Sequence, residues 1–135
     1  FISGAVEWLS PDNEEDHWDI IEGQGSLFHP SFAGVSLGLL HGSQPDKFIV
    51  CHEPTRSNMR GVKNKLPSIS EVISKTIELG KLTNPDIKCA GIALNTSNML
   101  NKSDDMKKII SDKHSIPCLD PLKDDLSDFI NMINK

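Results

Sequence analysis

Apolar positions along this chain follow two alternating rhythms. Continuous apolar runs stand at Lys47-Phe48-Ile49-Val50-Cys51-His52 and across residues 87–94, each bounded by polar or turn-forming residues. Runs of that length suit strands of a parallel sheet buried on both faces. Between them Ile69, Val72, Ile73 and Ile77 recur at helical spacing as far as Gly80, after Pro67-Ser68-Ile69-Ser70-Glu71. The serine three residues ahead of a glutamate forms a capping box, which predicts the helix start at that point. Ser103, with Asp104 and Asp105 in the following turn, predicts a second capped helix with Met106, Ile109 and Ile110 inward. A short strand at residues 116–119 and a closing helix with Leu122, Leu126, Phe129, Ile130 and Ile133 on one face complete this half.

The first half carries the same alternation. Residues 1–9 show helical apolar spacing from the first position, with no start signal before it. Trp18-Asp19-Ile20-Ile21 is a short apolar run that stops at Glu22 and opens into Gly23-Gln24-Gly25-Ser26, the pattern of a buried strand delivering a loop to a sheet edge. It equally describes a capped strand followed by an ordinary turn. Residues 31–40 look helical, with Gly34 and Gly38 offering a flat face for close packing. Strands separated by helices predict an α/β fold, a three-layer α/β/α arrangement around a mostly parallel sheet. No internal repeat or linker interrupts it, and residues 55–65, with Arg56, Arg60, Lys63 and Lys65 among polar neighbours, are the expected disordered piece.

Composition narrows the functional classes. The 135 residues are one domain's worth, long enough to bury a core. A net charge of −5, with no Lys/Arg stripe or interleaved aromatics, argues against a nucleic-acid grip and leaves small molecules or proteins as partners. The uncharged stretch from Gly23 to Pro45 is broken by Pro30, by glycines and by His29 and His41, so it is not read as a membrane span. Cys51, Cys89 and Cys118 are dispersed within apolar runs and read as buried free thiols in a reducing, cytoplasmic compartment, without zinc spacing. The sequons at Asn95 and Asn101 then carry little meaning.

Three predicted strand ends, at Glu22, His52-Glu53 and Asn95-Thr96, would converge on one edge of a parallel sheet. Glu22 is the candidate metal ligand, for magnesium held directly or through water. His29 and His52 are candidate general bases because imidazole titrates near neutral pH; the alternative for each is a satisfied structural side chain. Arg56 and Arg60 could clamp a carboxylate or phosphate with their planar forks, or stand as solvated loop charges. Asn95 could read a base or amide, or cap a turn.

Phe1-Ile2-Ser3-Gly4-Ala5-Val6-Glu7, Glu22-Gly23-Gln24-Gly25-Ser26-Leu27-Phe28-His29-Pro30, Leu39-Leu40-His41-Gly42-Ser43-Gln44-Pro45-Asp46, Cys51-His52-Glu53-Pro54 and Gly91-Ile92-Ala93-Leu94-Asn95-Thr96 together resemble the C-terminal P-loop domain of the D-glutamate N-acetyltransferase family, long catalogued as a domain of unknown function. These motifs are ordered and span nearly the whole chain. The resemblance implies a P-loop NTPase-like domain preceded, in the family, by a Rossmann-like domain, and acetylation of D-glutamate from acetyl-CoA. A more distant similarity to dethiobiotin synthetase implies Glu22 on the magnesium side of a bound ATP and Asn95 on the base side. No G-x-x-x-x-G-K-S/T loop lies within these 135 residues, where the family carries one upstream, so residues 1–135 are expected to be a piece that is inactive alone. The expectation is an acyltransferase acting on a small molecule as a homo-oligomer, with Gly23, Gln24, Gly25, Ser26, Asn95 and Thr96 contacting the cofactor. An ATP- and magnesium-dependent ligase, or a nucleotide- or CoA-binding domain that turns nothing over, are the alternatives.

Overall fold

The structure, a computed structural model, describes residues 1–99 and 103–134, so Asn101 of the second sequon lies outside the described residues. Helices α1 (Ile2–Leu9) and α2 (Ala33–Ser43) are followed by β1 (Lys47–His52), α3 (Ile69–Gly80), β2 (Lys88–Leu94), α4 (Ser103–His114), β3 (Cys118–Leu119) and α5 (Ser127–Ile133). The strands form one parallel sheet in the order β1-β2-β3, confirming the α/β reading. Two compact units emerge: residues 1–46 with 74–87, and residues 47–73 with 88–135.

In the unit that holds the sheet, β2 is the central strand. Gly91 and Ile92 are adjacent and therefore point to opposite faces. On one face Ile92 and Leu94, both without exposed surface, cluster with Ile69, Ile73, Met106, Ile110, Ile116 and Cys118. On the other, the ring of Phe129 in α5 lies so close over Gly91 that a Cβ there would come within 2.7 Å of it. The capping box forms as the sequence predicts: the Ser68 amide donates to Glu71 Oε2 at 2.8 Å and the Glu71 amide to Ser68 Oγ at 3.2 Å.

Several expectations for this unit need correction. β1 is an edge strand, and only its Val50 side is covered, so Ile49 and Cys51 face outward; Cys51 is an exposed thiol, unlike the partly buried Cys89 and Cys118. Met106 and Ile110, four positions apart, share the inward face, while Ile109 is exposed because it lies about 100° round the helix from its neighbour Ile110. Leu122 sits in a turn before α5 and Ile130 is exposed, so the closing face rests on Leu126, Phe129 and Ile133. Residues 55–65 are not a loose segment. Asn58 and Lys65 form an antiparallel bridge, the Met59 amide donates to the Asn64 carbonyl at 3.0 Å, and the Met59 side chain is buried.

In the other unit α1 and α2 pack through glycine, at positions one turn later than expected. Gly38 lies under Ile2, and a Cβ on Gly42 would stand 2.4 Å from the Ser3 carbonyl oxygen, whereas Gly34 faces open space. The helix ends at Gln44, whose φ of 47° is left-handed, and Asn84 Nδ2 ties that turn by donating to the Gln44 carbonyl at 2.9 Å. Residues 10–31 form neither helix nor strand. The strand expected at Trp18–Ile21 is therefore absent. A strand exists only through hydrogen bonds to a neighbour, and this run has no ladder partner among the described residues; Ile20 is 91% exposed.

Candidate functional site

The carboxyl ends of β1, β2 and β3 bring three polar turns together. The Asn95 amide donates to the His52 carbonyl at 2.9 Å, which joins the residue after β2 to the last residue of β1. Asn98 Nδ2 then reaches Glu53 Oε1 at 3.0 Å, and Thr55 Oγ1 donates to the same oxygen at 2.9 Å. Arg56 Nε stands 3.5 Å from the other oxygen of Glu53. These donors, first Thr55 and then Asn98, with the nearby charges, hold the Glu53 carboxyl below its ordinary range, so it is ionised at neutral pH. Burial also pushes the His52 pKa down, below 6.5, against the smaller upward pull of Glu53, and so favours the neutral ring. A neutral, half-buried imidazole beside a carboxylate is a proton acceptor at pH 7.

The third turn was not singled out by sequence reasoning. Asp120, the residue after β3, has no exposed surface yet lies just beneath the rim. Its Oδ2 accepts the Thr96 amide at 3.2 Å and the Thr96 hydroxyl, and its Oδ1 accepts the Leu122 amide at 3.0 Å. Lys123 Nζ donates to Thr96 Oγ1 at 2.7 Å and stands 3.8 Å from Asp120. Burial alone would raise the Asp120 pKa; the hydrogen bonds from Thr96 and Leu122, with the Lys123 charge, outweigh it and hold the carboxyl below its ordinary range. Asp124 locks the same turn by accepting the Asp120 amide at 2.7 Å and Lys107 Nζ at 2.6 Å. The signal that could have found Asp120 is the one that drew attention to Asn95: a polar residue directly after an apolar run.

Of the residues proposed from sequence, His52, Asn95, Thr96 and Arg56 thus share this edge. Thr96 is buried with its hydroxyl engaged by Asp120 and Lys123, which leaves the exposed Asn95 as the outward group of the pair. Arg60 lies two residues past Asn58 in the bridged turn, and it too is engaged.

The remaining candidates belong to the first unit. Glu22, Gly23, Gln24, Gly25 and Ser26 lie in the irregular segment, with Glu22 exposed and not at a strand end. Gly25 has φ 65°, a left-handed conformation that favours glycine, and the ring of Phe32 packs 3.0 Å from where its Cβ would be. Ser26 Oγ accepts the Phe28 amide at 3.1 Å, and Ser36 Oγ donates to the Gln24 carbonyl. His29 is buried and built into the turn that starts α2: its Nδ1 accepts the Ser31 amide at 3.1 Å, its carbonyl accepts the Ala33 amide at 2.8 Å, and its ring lies 4.6 Å from that of Phe32. That is a structural role for the imidazole. Among the described residues no three His, Cys, Asp or Glu side chains gather as a metal cage, so Glu22 would need a nucleotide's phosphates and water to complete a magnesium shell. Among the described residues no helix is long and apolar enough to cross a membrane.

Residues 1–130 match the model of a family described as a domain of unknown function, the DUF1611 C-terminal P-loop domain. The chain is 52% identical over 132 residues to a curated D-glutamate N-acetyltransferase of a Pseudoalteromonas species, covering 96% of this chain and 40% of the relative. It is 43% identical over 125 residues to a second, from Tritonibacter scottomollicae, covering 91% of this chain and 38% of that protein. The crystal structure of a DUF1611 family protein from Anabaena variabilis superposes with a TM-score of 0.80 at 27% identity, over 96% of this chain and 40% of that one. The chain therefore spans about two fifths of the length of the proteins it matches. The parallel sheet, the ordered motifs and the match over nearly the full length agree, and the chain belongs to the DUF1611 P-loop domain family.

Proposed function

We propose that the complete protein transfers an acetyl group from acetyl-CoA to the amino group of D-glutamate or a related D-amino acid, with the carboxyl edge of the sheet as part of its site. The observation that carries this reading is the level of identity to two curated relatives named for that activity, combined with a neutral imidazole at the strand end. The reaction needs the substrate ammonium to lose a proton, the freed amine to attack the thioester carbon, and the carbon–sulfur bond to break as CoA leaves. His52 takes the proton. Arg56 and Arg60 receive the two carboxylates, Arg56 by turning from Glu53, with which it makes only a surface pair of small value. Asn95 contacts the acyl donor. His29, engaged in its own turn, is the weaker candidate for the base.

The same reading makes the protein a cytoplasmic homo-oligomer that acts on small molecules; three dispersed cysteines without zinc spacing support the reducing compartment, and the net charge of −5 supports small-molecule partners over nucleic acid. The test uses the complete protein with acetyl-CoA and D-glutamate and follows released CoA thiol. Release without ATP is the expected result, and His52→Gln should lower kcat by about a hundredfold or more. Strict dependence on ATP and magnesium would instead establish the ligase that the likeness to dethiobiotin synthetase suggests.

A further inference from the structure

Acyl transfer as described above makes no use of Asp120, yet this buried side chain joins the end of β3 to the end of β2. It accepts both the amide and the hydroxyl of Thr96, so it fixes the start of the turn 95–98 from the β3 side. At its other flank that turn is fixed to β1 twice, by the Asn95 amide on the His52 carbonyl and by Asn98 Nδ2 on Glu53 Oε1. A path therefore runs from Asp120 by hydrogen bond to Thr96, along the backbone of the turn to Asn98, and by hydrogen bond to Glu53, next in sequence to His52. Every contact along it lies within one compact unit.

We infer that Asp120 is a positioning residue for the His52–Glu53 pair, acting through the Asn95–Asn98 turn, and that Asn98 is the relay. Geometry supports this over simple filling of space. A buried carboxylate that served only to cap its own turn would need the Leu122 amide and no more. Asp120 instead spends its second oxygen on the neighbouring strand's loop, and Lys123 reinforces that same loop through the Thr96 carbonyl at 3.2 Å and the Thr96 hydroxyl. Glu53, ionised and aimed by Asn98 and Thr55, is the group this path orients. Its negative charge suits the ammonium of an amino acid waiting to be deprotonated by the adjacent imidazole. The chemical class implied at this position is a primary ammonium on a small acidic substrate. The inference rests on the acyltransferase reading of this edge.

Four variants of the complete protein test it, with steady-state kinetics, active-site concentration and thermal midpoint measured for each. Asp120→Asn replaces one acceptor oxygen with a donor, and Thr96→Val removes the hydroxyl that Asp120 grips. Each should lower kcat per folded molecule by about tenfold, the scale of a small misplacement of reacting groups. Thr96→Ser, which keeps the hydroxyl, should restore at least half of the rate. Asn98→Ala, at an exposed position where folding is not at stake, should lower kcat to a similar extent, and adding Asp120→Asn to it should cost little more, because both act on one path. Losses that multiply in the double variant, or a lowered thermal midpoint with unchanged kcat per folded molecule, would make Asp120 a structural residue only. An unchanged kcat for Asn98→Ala would overturn the relay. If His52→Gln left kcat intact, the fault would lie in the reading of the edge itself, whatever Asp120 does.

Discussion

The glycine loop at residues 22–26 and the turns at 95–98 and 120–124 begin from the same kind of sequence, an apolar run closed by a polar residue, and they reach opposite ends. At the sheet edge each turn is tied to a neighbouring strand end, through His52 with Asn95, Glu53 with Asn98, and Thr96 with Asp120. In the glycine loop the contacts are short-range, within its own segment and to Ser36 of α2, and Glu22 stays exposed. The difference teaches that a polar residue after an apolar run becomes part of an organised site only when the run itself finds ladder partners. Trp18–Ile21 finds none among the described residues, whereas β2 has a partner on each side.

The largest effect should come from breaking the better-tied member of the pair. Asp120→Ala strands the Thr96 hydroxyl and two amides beneath the rim, which should cost about 1–3 kcal/mol in a urea titration followed by circular dichroism. A loss below 0.5 kcal/mol, as on an ordinary surface, would remove the contrast between the two regions. Ser68→Ala removes the cap of α3, whose first turn contributes Ile69 to the sheet's core, and should cost about 1 kcal/mol by the same measurement.

Acidification should act on the edge through His52. Its folded pKa lies below the ordinary 6.5, so the fold favours the neutral ring; this contribution is complete above pH 6.5 and is lost as pH falls below it. Activity should decline over the same window as the base becomes protonated, and its apparent pKa in kcat/KM should move when His52 is replaced. A pH profile unchanged by His52→Gln would assign the acid limb elsewhere.

The smallest effects belong to the glycine loop. Ile20→Ser should change stability by no more than about 0.5 kcal/mol, because that side chain is 91% exposed. A loss of several times that size in the complete protein would reveal a ladder partner for Trp18–Ile21 and bring the two regions back into line. Glu22→Gln should leave the fold intact, and, if the carboxylate holds magnesium, isothermal titration should show weaker magnesium-dependent nucleotide binding. Unchanged binding would leave Glu22 a solvated loop acid.

Local signals settled much of this protein. The capping box at Ser68 and Glu71, the uninterrupted run of β1 and the apolar stretch of β2 each carry their own instructions, since caps, helical spacing and strand length are decided within a few residues. The order of motifs likewise identified the family, which residues 1–130 match. What the sequence could not decide depends on neighbours far along the chain. Cys51 is exposed because only the opposite, Val50 face of β1 is covered, and Trp18–Ile21 has no strand because pairing needs a second backbone. Asp120 matters because Thr96, 24 positions earlier, points its hydroxyl there. Burial and hydrogen-bond partnership are properties of the assembled sheet, and only tertiary structure assigns them.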